Sequence, residues 1–178
     1  TISFEEKEKN VEMMVVPSKD EEFKITVMVD YNSPVLGTQH ARLESLDQFE
    51  DEIAPCRTFV FMKEVVTLAE NGLIKGGDVD NAVVLAERPY TEKELAEIGR
   101  NIGRKEINIL PNKTGVVSKT ELKFQNEPAR HKLLDILGDI ALTGRYLQGH
   151  ILAARPGHYS NVEIAKLMSD TIKKTEDL

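Results

Sequence analysis

Between Ala129 and Ile140 the chain places Leu133, Leu134, Ile136, Leu137 and Ile140 at helical spacing. The pattern predicts an amphipathic helix from about Glu127 to Arg145, with Pro128 tolerated in its first turn. Such a helix restricts the fold, because its apolar face must be covered by a sheet or by other helices. The same helix carries His131, Asp135 and Asp139 at intervals of four. At 3.6 residues per turn these positions stack along one stripe and drift only about 40° per step. A neutral imidazole and a carboxylate one turn apart can share a metal ion, with the third residue better placed to support the site. The plainer reading is a solvated face, and the spacing alone leaves both open.

The rest of the chain supplies a sheet for that helix to cover. Phe23, Ile25, Val27, Val29 and Tyr31 alternate with polar or smaller partners, the period of a half-buried strand. The apolar run Val11–Val16 precedes it across a polar turn, so the two predict a hairpin. A further strand is expected near 39–45, followed by an acidic loop holding Asp51 and Glu52. Met62, Val65, Val66 and Leu68 predict a helix to about Asn71, with Gly72 as its stop. Gly76–Asn81 reads as a loop, and residues 82–85 as a buried strand. Residues 88–120 are charged and weakly periodic, and read as a surface insertion outside the core. Within them Thr91 and Glu94 have the spacing of a capping box, and 107–110 and 115–118 are short strand candidates. Residues 147–154 read as a strand. Ser160 and Glu163 read as a capping box opening a last helix. The sum is an α/β chain of one domain over 1–178. It forms a two-layer α+β sandwich, with a mostly antiparallel sheet and helices on one face.

Composition narrows the function. A net charge of -7 argues against general nucleic-acid binding, while leaving room for a local basic pocket. One cysteine, Cys56, forms no internal disulfide, which fits a reducing cytosol. No apolar run approaches the roughly 20 residues of a membrane span, and the acidic start at Thr1 is not a secretory leader. The absence of an initiator methionine suggests a piece of a longer protein. Gly76–Asp80 lacks the Lys-Ser/Thr of a phosphate loop and the closing Glu of a calcium loop, so a plain turn is expected there. His158, in a tight Arg155–His158 turn, is either a helix-start residue or a general acid. His40 and His150 read as structural. Lys132, Arg130, Arg155 and Arg57 are candidates for an anionic-ligand patch, or are simply solvated.

Several stretches taken together resemble one family. They are Arg57-Thr58-Phe59-x-Phe61-Met62, Gly72-Leu73-x-x-Gly76-Gly77, Asn126-Glu127-x-x-Arg130-His131-Lys132-Leu133-Leu134-Asp135-x-x-Gly138-Asp139 and Gly157-His158. Asp30-Tyr31-Asn32-x-Pro34 adds a matching strand end. The chain is similar to the second domain of the zinc-dependent UDP-3-O-acyl-N-acetylglucosamine deacetylases of lipid A biosynthesis, which are cytoplasmic enzymes of Gram-negative bacteria. The resemblance implies that His131 and Asp135 are zinc ligands. It implies that Lys132 lies near charged groups of the substrate, and that Asp139 holds His158 as oxyanion stabiliser and general acid. Arg155 would meet the diphosphate, and Thr58 and Phe59 would wall the site. Met62, Val65, Ile74, Val79, Ala82 and Val84 would lie near an acyl passage.

One departure carries weight. The family's first domain contributes a Glu-His pair, the third ligand and the general base, and no such pair occurs among His40, His131, His150 and His158. The expectation is a half-site that is inactive alone and partnered by a missing N-terminal domain. The rival reading is a binding or scaffold module of the same fold with a vestigial metal stripe. A small-molecule kinase would need the phosphate loop that is lacking.

Overall fold

The computed structural model describes residues 1–19, 22–71, 82–105 and 107–176. The expected Gly72 stop and the Gly76–Asn81 loop lie outside these residues, as do Ile74 and Val79. The chain divides into two compact units. The first comprises Thr1–Tyr31, Thr38–Cys56 and Asn126–Leu178, and the second Asn32–Gly37 and Arg57–Gln125.

The first unit is built on a sheet of five strands: β1 (Ile2–Glu6), β2 (Val11–Val16), β3 (Phe23–Asp30), β4 (Thr38–Leu43) and β8 (Gly149–Ala154). Their order is β1-β2-β8-β3-β4, and every pair is antiparallel except β3 with β8. The expected hairpin of β2 and β3 does not form. Instead β8 enters between them, with Ile151 opposite Val15 on one side and Ile25 on the other. Alternation specifies which face a residue takes, not which strand lies beside it. The apolar β8 completes the ladders of both neighbours, which one hairpin would have left half paired. Strand β1 gives little sequence signal because only Ile2, Phe4 and Glu6 turn inward, too short a run to stand out.

Two helices, α3 (Glu127–Ala141) and α4 (His158–Glu176), cover one face of this sheet. Ile25, Val27, Val29, Leu43 and Ile151 are completely buried there against Ala129, Leu133, Ile136 and Ile164. On the opposite face Met14 and Leu152 are exposed. The sandwich with helices on one face is therefore as expected. Helix α3 ends earlier than its sequence suggests, and a left-handed Gly144 follows. Helix α4 starts at His158, three residues earlier than a Ser160 cap would place it. The Ser160 hydroxyl instead binds back to the Gly157 backbone in the turn. The acidic segment 46–53 is not a loop but a 3-10 turn (Leu46–Gln48) running into a π turn (Phe49–Ile53).

The second unit holds β5 (Phe59–Phe61), α1 (Met62–Glu70), β6 (Val83–Ala86), α2 (Glu92–Asn101) and β7 (Gly115–Val116). Its sheet order is β5-β6-β7. The surface reading of 88–120 fails here. Tyr90, Leu95, Ile98, Ile109 and Val117 are buried and pack with Met62, Val65, Val84 and Ala86 into a second core. Weak periodicity hides them because they come from four short segments, each offering one or two apolar side chains. The Thr91–Glu94 capping box does form at the start of α2.

Candidate functional site

Helix α3 positions the stripe, and its apolar residues explain how. With Leu133 and Ile136 held at zero exposure in the first core, the helix cannot rotate about its axis. Its stripe residues are thereby fixed in direction. His131 and Asp135 come together, with Nε2 and Oδ1 3.4 Å apart. The His131 Nδ1–H donates to the Cys56 carbonyl at 3.1 Å, because a carbonyl only accepts. That bond sets the tautomer, so Nε2 presents its lone pair toward the Asp135 oxygen. Two acceptors that close need a positive species between them, either a second proton on the ring or a cation. Two ligands of one tetrahedral zinc, each about 2.0–2.1 Å from it, stand about 3.3 Å apart. The observed spacing fits that requirement.

The other Asp135 oxygen, Oδ2, accepts from Lys132 Nζ at 2.8 Å. Lys132 therefore neutralises the carboxylate from the side away from His131. The Asp135 side chain is only 8% exposed, so the arrangement is shielded from water. Among the described residues, no group of three or more His, Cys, Asp or Glu side chains is placed to hold a metal.

One turn further along α3, Asp139 holds His158 from the first residue of α4. His158 Nδ1–H donates to Asp139 Oδ2 at 2.8 Å. The imidazole is 71% exposed, so its Nε2 is available to a ligand. Arg155 opens the turn that leads to His158, in a left-handed conformation, φ 52°. Its backbone N–H donates to Met28 O at 2.8 Å, and its Nε donates to the Asn10 carbonyl. A cleft of about 280 Å³ beside it is lined by Lys9, Tyr31, Arg155 and Tyr159, among others.

The second unit contains Thr58, Phe59, Met62, Val65, Ala82 and Val84. The Thr58 carbonyl accepts from Val83 N–H at 2.7 Å, and Phe59 stacks edge-on with Phe61. Met62, Val65, Ala82 and Val84 are buried. Arg57 is bound to Thr120 and to the Glu121 carbonyl within that unit.

Three contributors carry no sequence signal for their roles. The Cys56 carbonyl has no side-chain signature at all. Arg130, by sequence only a candidate anion contact, binds the Glu52 carboxylate at 2.9 Å, the Glu52 carbonyl at 3.0 Å and Asn126 Oδ1 at 2.9 Å. It thus ties the π turn that leads to Cys56 onto the start of α3. Asn161, buried beneath His158, is the third.

The profile of the UDP-3-O-acyl N-acetylglycosamine deacetylase family (LpxC) matches residues 1–102 and 93–170. The chain is similar to the bifunctional enzyme LpxC/FabZ of Chlorobaculum tepidum, at 46% identity over 93% of this chain and 35% of the relative. It is 44% identical to the enzyme of that name from Porphyromonas gingivalis, over 95% of this chain and 36% of the relative. To the UDP-3-O-acyl-N-acetylglucosamine deacetylase of Chlamydia pneumoniae it is 36% identical, over 86% of this chain and 46% of the relative. The chain therefore spans about a third to a half of these relatives' length. Among the described residues, no helix is long and apolar enough to cross a membrane. With the profile running across almost the whole sequence, the chain belongs to the UDP-3-O-acyl N-acetylglycosamine deacetylase family.

Proposed function

We propose that this chain is the second half of a zinc-dependent amidase that removes the N-acetyl group of a UDP-3-O-acyl-N-acetylglucosamine in lipid A biosynthesis. The observation that carries this reading is the His131–Asp135 pair, whose lone pair and carboxylate oxygen converge at zinc-ligand spacing. His131 and Asp135 would hold the metal. Bound zinc would act as a Lewis acid on the amide carbonyl and lower the pKa of its water. Lys132 offsets the Asp135 charge and orients its free oxygen. His158, anchored through Nδ1, offers Nε2 to the reacting centre. In its doubly protonated form it donates to the developing oxyanion and then to the departing amine, while Asp139 stabilises the cationic ring. Arg155 and its cleft are the candidate contact for the diphosphate, and Thr58 and Phe59 remain candidate substrate contacts. The third ligand and the general base would come from an N-terminal domain, so the chain alone should be inactive or nearly so.

Zinc titration by calorimetry tests this. The chain should bind weakly, and joining it to a family first domain should tighten binding and restore deacetylation. Asp135→Ala in the joined protein should abolish turnover. A joined protein that folds, yet neither binds zinc nor loses anything on Asp135→Ala, would leave the scaffold reading instead.

A further inference from the structure

Asp139 Oδ2 accepts two hydrogen bonds, not one. Besides His158, the Asn161 Nδ2–H donates to it at 2.9 Å. Asn161 sits one turn after His158 on α4 and is completely buried. The donor assignment is forced, since a carboxylate cannot donate to the amide. The amide oxygen therefore points the other way, where it is buried with no hydrogen-bond partner among the described residues. An orphaned buried acceptor is a net cost to folding. A residue of similar size without polar atoms would avoid that cost, so packing does not explain the amide.

His158 gives the reason. Its ring is largely in solvent, and Asp139 supplies its one hydrogen bond among the described residues. The aim of the ring thus rests on the rotamer of Asp139. That carboxylate lies toward the end of α3, and the other hydrogen bond fixing it comes from Asn161. We propose that Asn161 is a positioning residue: it locks the Asp139 carboxylate from below, and through it holds His158 in the Nδ1–H tautomer with Nε2 facing outward. The role of His158 as acid rests on the proposed function; the hold on its tautomer does not.

The experiment is nitrogen-15 NMR of the His158 ring, in the chain as it stands, at a pH where the imidazole is neutral. The wild type should show predominantly the Nδ1–H tautomer, with Asn161 amide protons protected from exchange. Asn161→Ala should lose that preference in favour of the Nε2–H form, while circular dichroism stays unchanged. In a joined, active protein it should lower kcat about tenfold with KM nearly constant, because the substrate contacts are untouched. If Asn161→Ala does not fold, the wild-type amide exchange decides: fast exchange sinks the proposal. A folded Asn161→Ala that keeps the wild-type tautomer also overturns it, whatever its activity. A joined wild type without activity would count against the proposed function, and the tautomer would still decide the role of Asn161.

Discussion

Gly149 opens β8 at φ 145°, a conformation that side chains rarely adopt. A Cβ built there would lie 2.9 Å from the Val16 carbonyl oxygen, closer than real contacts. That carbonyl is backbone and cannot swing aside. Gly149→Ala should therefore cost about 1–3 kcal/mol, seen as a lower urea midpoint. An unchanged midpoint would mean that the entry to β8 relaxes. The effect should be large for a single methyl, because β8 sits between β2 and β3 and a shift at its start disturbs two ladders. Arg155, at the other end of β8, is also left-handed but not glycine. Its backbone bond to Met28 and its side-chain bond to Asn10 hold it there. That strain lies three residues before His158, where a sharp turn is needed to bring the ring onto Asp139.

Among the elements, α2 gives the clearest dependence on pH. The Thr91 backbone N–H, then Arg88 and the Thr91 hydroxyl, donate to the Glu94 carboxylate and hold its pKa down at about 2, from an ordinary 4.5. The unfolded chain therefore takes up this proton more readily than the folded one. The support that Glu94 gives to α2 is complete above about pH 4.5 and drains away as the pH falls toward 2. Glu94→Gln should remove that part of the acid sensitivity. Amide exchange in α2 should then become flatter with pH below about 4.5 than in the wild type. An identical pH profile in both proteins would show that the box does not form in solution. This box is legible in the sequence because its three-residue spacing is local. The spacing at Ser160 is equally local, yet the turn from Arg155 to Gly157 takes the serine for itself.

At the scale of the molecule, the described residues form two hydrophobic cores, and the direction of the α3 stripe depends on the first. Leu133 lies at zero exposure between Lys132 and Asp135 in the chain. Leu133→Ala should lower the stability of the first unit by about 2–5 kcal/mol, read as lost amide protection in β3, β8 and α3. Protection that stays at its wild-type level in those elements would mean that the core collapses around the gap. The sequence by itself determined much of this protein. Periodicity marked α3 and β3, a continuous apolar run marked β6, the four-residue stripe marked His131, Asp135 and Asp139, and the combined motifs marked the family. These signals are local, or reside in side chains whose chemistry is explicit. Tertiary structure alone decided that β8 separates β2 from β3, that residues of 88–120 build a core, and that a backbone carbonyl at Cys56 and a buried amide at Asn161 direct the two imidazoles. Such choices depend on which distant segments meet, and a carbonyl or an amide gains a role only from the partner placed against it.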